Sequence, residues 1–175
     1  PRPEFCENTG EKTMPHENEM GEQNESEQKV ANLGSQLHDE WRAPRYREDS
    51  KDYEPRVKKT KDQLWQIAHE GKTEVDIANS SYEELPEDWK GENKASAEVT
   101  VTEIEKAVQA GAELDDAFVE SASSVLHDKW LERNGSWAPE EQKKPYAELS
   151  EEEKEKDRVI IRKGIEMYSK KEDAK

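Results

Sequence analysis

Apolar residues in this chain recur at helical spacing, and three stretches predict long helices. The first stretch repeats apolar residues every three or four positions, at Ala97, Val101, Ile104 and Val108. That interval places them on one face of a helix, which we expect to be buried. Pro86 and the two acidic residues after it suit the first turn of that helix, because proline needs no donor there and acids favour the positive end.

A second apolar stripe lies near the end of the chain. Ile161, Ile165 and Tyr168 have spacings of four and three residues, so they share one face of a predicted helix. Ser150, followed three residues later by Glu153, forms a capping-box pattern, which satisfies unpaired N–H groups where a helix starts. We therefore expect this helix to begin next to Ser150.

The remaining elements are predicted from shorter patterns. A third long helix is predicted from Leu114, Phe118, Val125, Leu126 and Trp130. It should end at Asn134–Gly135, because glycine favours helix ends. A short helix is expected over residues 60–70, with Gly71 as its stop, and residues 52–57 and 73–77 suggest short strands. The fold class is therefore mainly α, or α+β with minor short strands.

Residues 1–34 differ from the rest of the chain. This segment has eight glutamates against Arg2, Lys12 and Lys29, and it is rich in Asn, Gln, Gly and Ser. Such a segment buries too little apolar surface to offset the entropy lost on ordering. We therefore expect residues 1–34 to be a disordered acidic tail or linker.

The rest of the chain contains an internal duplication. The sequence Leu-His-Asp-Glu-Trp at 37–41 recurs as Leu-His-Asp-Lys-Trp at 126–130, and the segment 82–90 recurs in the same order at 146–154. This predicts two repeats, residues 35–111 with a long insert and residues 112–175. Their shared positions, which we expect to form the repeat core, are His38, Trp41, Tyr82, Leu85, His127, Trp130, Tyr146 and Leu149.

The order of these motifs resembles the repeat of ryanodine receptors. The second copy is nearer to it, with His-Asp-Lys-Trp at 127–130, Pro-Tyr-Ala-Glu-Leu at 145–149 and Glu-Glu-Lys-Glu-Lys-Asp-Arg at 152–158. The first copy, with Asp-Tyr-Glu-Pro-Arg at 52–56 and Asp-Ile-Ala-Asn at 76–79, also resembles uncharacterised bacterial proteins with tandem repeats of this family.

This resemblance implies a fold and a type of function. Repeats of this family are helical units with small strands that pair about a pseudo-twofold, and in the channels they belong to the cytosolic regulatory region. The paired repeats are associated with nucleotide-type ligands that stack on tryptophan. The first copy departs from the pattern with Lys51 in the place of a tryptophan. The second copy keeps Gly135 and Trp137 but lacks the tyrosine that follows.

Charge excludes several classes of partner. The chain has a formal net charge of -16, and 40% of its residues are charged. Nucleic acids and anionic membranes need clustered Lys and Arg, so neither is expected as the partner. There is one cysteine, Cys6, no leader-like segment and no apolar run long enough to span a membrane. We therefore expect a cytoplasmic location.

No pattern in the chain predicts catalysis, a metal or a cofactor. His38 and His127 are equivalent positions, but zinc needs three or four ligands and no third ligand recurs with them. Their spacing to tryptophan predicts instead that both fasten a helix to the core. Neither a nucleophile motif nor a Gly-rich phosphate loop is present. We expect a protein that is not an enzyme.

Two functions remain open. The first is a protein-interaction or regulatory module with an unidentified protein partner. The alternative is a small-ligand sensor that binds an adenine nucleotide or other anion between the repeats, because residues 42–61 hold eight basic and four acidic residues. Its candidate ligand-binding residues are Trp137, Tyr53, Arg56, Lys58, Lys59 and Lys61. The same basic strip also suits salt bridges to acidic helices of the repeats or to a second copy of the chain.

Overall fold

The computed structural model describes residues 17–172, and Cys6 and the rest of the predicted tail up to residue 16 lie outside that range. Within it the protein is mainly helical, as the sequence predicts. The five α-helices are α1 (Glu17–Arg42), α2 (Gln63–Ala68), α3 (Glu87–Gln109), α4 (Asp116–Asn134) and α5 (Glu151–Glu172).

Four short strands form two small antiparallel sheets between α1 and α3. The first sheet pairs β1 (Tyr46–Arg47) with β2 (Asp52–Tyr53). The second pairs β3 (Val57–Lys59) with β4 (Glu74–Asp76), and α2 lies in the connection between them. The prediction of extended backbone near residues 52–57 and 73–77 is therefore confirmed in its main part.

The predicted disorder of residues 1–34 is wrong for residues 17–34, which belong to α1. Val30, Leu33 and Leu37 form an apolar stripe on this helix, with spacings of three and four. Leu33 is fully buried in a cluster with Ala97 and Val101 of α3. The composition of residues 1–34 concealed this stripe, because only two of its members, Val30 and Leu33, lie in that segment among many polar residues. Packing against α3 then supplies the burial that the isolated segment lacks.

The helices pack as two pairs. Helix α1 lies against α3 and α4 lies against α5, and α3 also contacts both α4 and α5. If the two pairs are equivalent, α1 corresponds to α4 and α3 corresponds to α5. The contact between α3 and α4 then has an equivalent contact between α5 and α1, which is also present. The packing therefore has the contacts expected of two units related by an approximate twofold.

The crossing of α3 and α5 lies at equivalent positions of the duplication. In the register that aligns Tyr82 with Tyr146, Thr100 corresponds to Gly164. Both residues are buried, and a Cβ atom added at Gly164 would lie 2.6 Å from Cγ2 of Thr100 and 2.8 Å from Cδ1 of Ile104. Glycine at 164 is therefore required for the close approach of the two helices.

Both histidines of the repeat core bind a backbone carbonyl, as fasteners of a helix should. Nε2 of His38 lies 2.9 Å from the Ser80 carbonyl oxygen, and Nε2 of His127 lies 2.8 Å from that of Lys144. Each acceptor precedes the repeated tyrosine by two residues. The rings also stack on the tryptophan one turn later, His38 on Trp41 and His127 on Trp130.

The repeated tyrosines occupy matching environments as well. Tyr82 and Tyr146 are buried, and each begins a single 3-10 turn, Tyr82–Glu84 and Tyr146–Glu148. The ammonium group of Lys90 lies 5.5 Å from the ring centre of Tyr82, and that of Lys154 lies 5.6 Å from the ring of Tyr146. Leu85 and Leu149 follow and are buried. All four positions were predicted as core.

The helix boundaries agree with the predictions at most ends. Helix α3 has Pro86 at its N-cap, and the backbone N–H of Glu153 donates to Oγ of Ser150 at the start of α5. The predicted buried stripe is wrong at Val108, which is 49% exposed. This residue lies in the last turn of α3, where it borders an open groove lined by polar residues of α1 such as Glu22.

Replacing Gly164 with alanine should destabilise the fold. The added methyl group overpacks the α3–α5 crossing, which costs roughly 1–3 kcal/mol. That cost exceeds the gain of about 1 kcal/mol that alanine gives over glycine in a helix. The matched control is Gly91→Ala in α3, where nothing lies within 4 Å of the new Cβ, and it should stabilise the fold. Urea unfolding measures both changes.

The double variant Thr100→Ala with Gly164→Ala should recover part of the lost stability, because it removes the nearest contacting methyl group. A Gly164→Ala protein as stable as Gly91→Ala would show that the two helices do not cross at this point.

Candidate functional site

A cavity of about 330 Å³ opens between α3, α4 and α5. We call it the Trp137 cavity. Its lining consists of Glu92, Asn93 and Ser96 from α3, Leu126, His127, Trp130 and Asn134 from α4, and Glu153, Lys156, Asp157 and Ile160 from α5, with Trp137, Gln142 and Leu149 from the connection. The packing of the two halves against each other therefore forms this cavity.

Two tryptophans form its aromatic wall. Trp130 is half-buried, whereas Trp137 is 66% exposed. Their ring centres lie 5.9 Å apart at an interplanar angle of 70°, a favourable edge-to-face arrangement. Nε1 of Trp137 donates to Oδ1 of Asn134 at 3.1 Å, which fixes the orientation of the indole. An exposed tryptophan held in this way offers a flat aromatic face to a ligand.

Two of the carboxylates in the cavity have partners within the chain. Glu92 pairs with the guanidinium of Arg133 at 3.4 Å, and Glu153 pairs with Nζ of Lys156 at 2.8 Å. The first pair joins α4 to α3, and the second lies within α5. Their charges are locally balanced, so they add little net charge to the cavity.

Asp157 is different, because it accepts no hydrogen bond from the described residues 17–172. Its side chain is 17% exposed, and the nearest positive candidate, Nδ1 of His127, lies 3.8 Å from Oδ2. Burial raises the pKa of Asp157 to about 6, although His127 acts in the opposite direction. The carboxylate is thus a largely buried charge without a close partner.

The hydrogen bond of His127 explains why it does not satisfy Asp157. The Lys144 carbonyl oxygen only accepts, so Nε2 of His127 must carry the proton of that bond. That bond holds the ring so that Nδ1 lies 3.8 Å from Oδ2 of Asp157, which is beyond hydrogen-bond distance. Asp157 therefore accepts no hydrogen bond from His127 and is available to a donor on a ligand.

The cavity residues differ between the two halves. In the register of the duplication, Asp157 corresponds to Asn93, which also lines the cavity. The repeated tryptophan also has a different neighbour in each half. In the first copy the guanidinium of Arg45 lies 4.3 Å from the ring centre of Trp41, whereas in the second copy the ring of Trp137 contacts Trp130. A second, more open groove runs beside Trp41 and α5, and Arg45 does not line it.

The structure does not bring the predicted ligand-binding residues together. Of that set, only Trp137 lines the cavity. Tyr53 lies in β2, where its backbone N–H donates to the side chain of Asn79 at 2.8 Å and its ring contacts Tyr46 and Arg42. These contacts hold the first sheet to the segment after β4, so Tyr53 has a structural role here.

The basic strip also lies away from the cavity. Arg56 pairs with Glu54 at 3.7 Å, and Lys58 lies 5.9 Å from the ring centre of Trp89. The Lys59 carbonyl oxygen accepts from Nε1 of Trp89, and the Lys61 backbone N–H donates to Asp88. The strip thus joins the small sheets to the start of α3 largely through backbone groups, and none of these contacts is a salt bridge to an acidic helix.

Sequence reasoning missed the carboxylate at Asp157. The signal was present, because the register of the duplication places Asp157 opposite Asn93. The change from amide to acid stood out little in a chain with 43 acidic residues. Only the burial and the position of His127 separate Asp157 from the many solvated carboxylates.

Within residues 17–172, no group of three or more His, Cys, Asp or Glu is arranged to hold a metal ion. No helix of that range is long and apolar enough to cross a membrane.

Comparisons of the chain with protein-family models, with curated proteins and with solved structures found no match. The assignment to ryanodine-receptor repeats therefore remains a prediction that rests on the sequence motifs.

Replacing Asp157 with asparagine should stabilise the protein at high pH. Because the pKa of this acid is higher in the fold than the ordinary value of 3.8, the folded state binds more protons between pH 4 and 6. Stability is therefore lost as pH rises through that window, by up to about 3 kcal/mol for this group. Asp157→Asn should recover that loss at pH 8, and the gain should shrink towards pH 5.

Asp128→Asn is the matched control, because it removes the same charge from an exposed neighbour of His127 on α4. Urea unfolding at both pH values measures the difference. An equal effect of the two variants at pH 8 would contradict the role assigned to burial at Asp157.

Proposed function

We propose that this protein is a non-catalytic binding module of the ryanodine-receptor-repeat type, and that the Trp137 cavity receives its ligand or the side chain of its partner. The observation that carries the proposal is Trp137 itself. A large aromatic ring that is 66% exposed, hydrogen-bonded in place and next to a second tryptophan is suited to contact another molecule.

The repeat type is supported by the matching contacts of the two halves. Both histidines bind a carbonyl two residues before the repeated tyrosine, and both tyrosines lie beneath a lysine. The cavity lies between these halves, which agrees with the expectation that paired repeats bind ligands at their junction. A regulatory module would use such a junction, because a ligand there contacts both units at once.

The chemistry of the cavity supports binding rather than catalysis. His127 and Asp157 are the pair that most resembles a catalytic couple, but Nε2 of His127 is committed to the Lys144 carbonyl. The remaining nitrogen faces Asp157 and not a nucleophile.

Small-ligand sensing is the second candidate, and the cavity volume favours it. About 330 Å³ is at the small end of ligand sites and fits one ring or one side chain. An adenine base has a suitable shape for stacking on Trp137. The phosphates of a nucleotide would meet Glu92, Glu153 and Asp157, and the basic strip lies elsewhere, so a neutral nucleoside should bind better than its phosphate.

Alanine at Trp137 should strongly weaken ligand binding while leaving the fold stable, because Trp137 is 66% exposed. Binding is measured by the shifts of the tryptophan indole NMR signals on titration with a fragment set that includes adenosine and AMP. True ligands should shift the signals of Trp137 and Trp130 and bind Trp137→Ala at least about tenfold more weakly, as expected on loss of a stacking platform.

The control is Trp89→Ala, which removes a partly exposed tryptophan outside the cavity that also donates an indole hydrogen bond. It should bind as the unmodified protein does. Fragments that bind Trp137→Ala with undiminished affinity, or that shift only other signals, would sink the assignment of function to this cavity.

A further inference from the structure

We propose that the Trp137 cavity binds a positively charged organic group, a quaternary ammonium or a guanidinium, with Asp157 as its counter-ion and tryptophan faces around the charge. This inference rests on the proposed function, because it names the class of ligand for the same cavity. It runs against the nucleotide expected from the sequence, whose phosphates carry the opposite charge.

The first step is the balance of charge in the lining. The charged residues there are Glu92, Glu153, Lys156 and Asp157. Glu92 is paired with Arg133, and Glu153 is paired with Lys156. These internal pairs leave one carboxylate of the lining, Asp157, without a close cation among residues 17–172. A ligand with a single positive charge restores the balance, and an anion worsens it.

The second step is the surroundings of that carboxylate. Asp157 is largely buried, and Nδ1 of His127 lies 3.8 Å from its Oδ2, too far to donate a hydrogen bond to it. A buried carboxylate without a partner is unfavourable, and a bound cation removes that penalty. Asn93 at the equivalent position of the first copy shows that this place in the repeat also accepts a neutral side chain. The acid is therefore not a requirement of the packing.

The third step is the aromatic wall. Tryptophan is the side chain whose ring attracts cations most strongly, and the attraction grows when the site excludes water. Trp137 and Trp130 meet edge to face, so they present ring faces in different directions around one space. Combined with a carboxylate, such walls suit a diffuse organic cation better than a small, strongly hydrated metal ion.

The fourth step is size. A volume of about 330 Å³ accommodates a trimethylammonium or guanidinium head with part of its chain. The head has two sources, a free small molecule or a methylated lysine or arginine of a partner protein. Both present the same chemistry to the cavity, and the experiment distinguishes them.

The test titrates the full chain with choline, with its neutral isostere 3,3-dimethyl-1-butanol and with AMP, and follows the indole NMR signals. Choline should shift the signals of Trp137 and Trp130 and bind about tenfold more tightly than the isostere, which has the same shape without the charge. Short peptides in which trimethyllysine or arginine is the only charged group form the second arm. Tighter binding of a peptide than of choline identifies a protein partner as the source.

Two variants separate the contributions to binding. Asp157→Asn should weaken choline binding about tenfold and leave the isostere unaffected, whereas Trp137→Ala should weaken both. Asp128→Asn, with the same loss of charge outside the cavity, is the control and should bind choline normally.

The pH dependence gives an independent readout. A cation binds the ionised carboxylate, so affinity for choline should fall as the pH drops through the pKa of Asp157, about 6. His127, Glu92, Glu153 and Lys156 are the other charged or titratable groups that face the cavity. The loss of affinity at low pH should be smaller in Asp157→Asn, which lacks the carboxylate with the raised pKa.

Several results would overturn the inference. They are equal binding of choline and its isostere, unchanged choline binding by Asp157→Asn, tighter binding of AMP than of any cation, and no shift with any cation at about 10 mM, an affinity too weak for a specific site. Adenosine or AMP binding at Trp137 in the absence of cation binding would overturn this inference and leave the proposed function intact. Failure of every ligand to involve Trp137 would remove both.

Discussion

The close crossing of α3 and α5 is the constraint on which the rest of the structure depends. Thr100 and Gly164 are equivalent positions of the sequence duplication and meet at this crossing, which is the arrangement that an approximate twofold between two repeats predicts. Because packed helices allow little sliding, this single contact determines how far each half extends over the other. The cavity exists because α3 of the first half ends up beside α4 of the second, with α5 forming its third wall.

The two halves have diverged around a common set of structural contacts. The histidine, tyrosine and leucine positions keep their contacts in both copies, whereas the residues that face the cavity differ. Asp157 stands where the first copy has Asn93, and Trp137 contacts Trp130 where Arg45 covers Trp41. These two differences lie at or beside the cavity. A largely buried carboxylate with a raised pKa, in a place where the other copy has asparagine, is more readily explained by binding than by folding.

The features that could be predicted from the sequence are those that depend on neighbouring residues, and the features that depend on contacts between distant residues could not be predicted. The long helices and the repeat core were predictable, because capping at Ser150 and the spacing of His127 and Trp130 are properties of neighbouring residues. The helical start of α1 was missed, because Leu33 is stabilised by Ala97 and Val101, more than sixty residues away. The site was predicted in part for the same reason. Trp137 was identified by its motif. The basic strip was assigned to the same site only because of its charge, and in the fold it lies away from Trp137.

The net negative charge of the chain, which disfavours nucleic acids as partners, also favours the binding of cations in the cavity. A net charge of -16 creates a negative potential around the molecule, which raises the local concentration of cations and their rate of encounter. Solvated glutamates on the helices provide this attraction but no specificity, because water and salt screen them. Specificity requires one carboxylate that is shielded from water and held beside aromatic rings. Asp157 is largely buried and lines the same cavity as Trp130 and Trp137, so the acidic surface and this carboxylate favour the same kind of ligand at different distances.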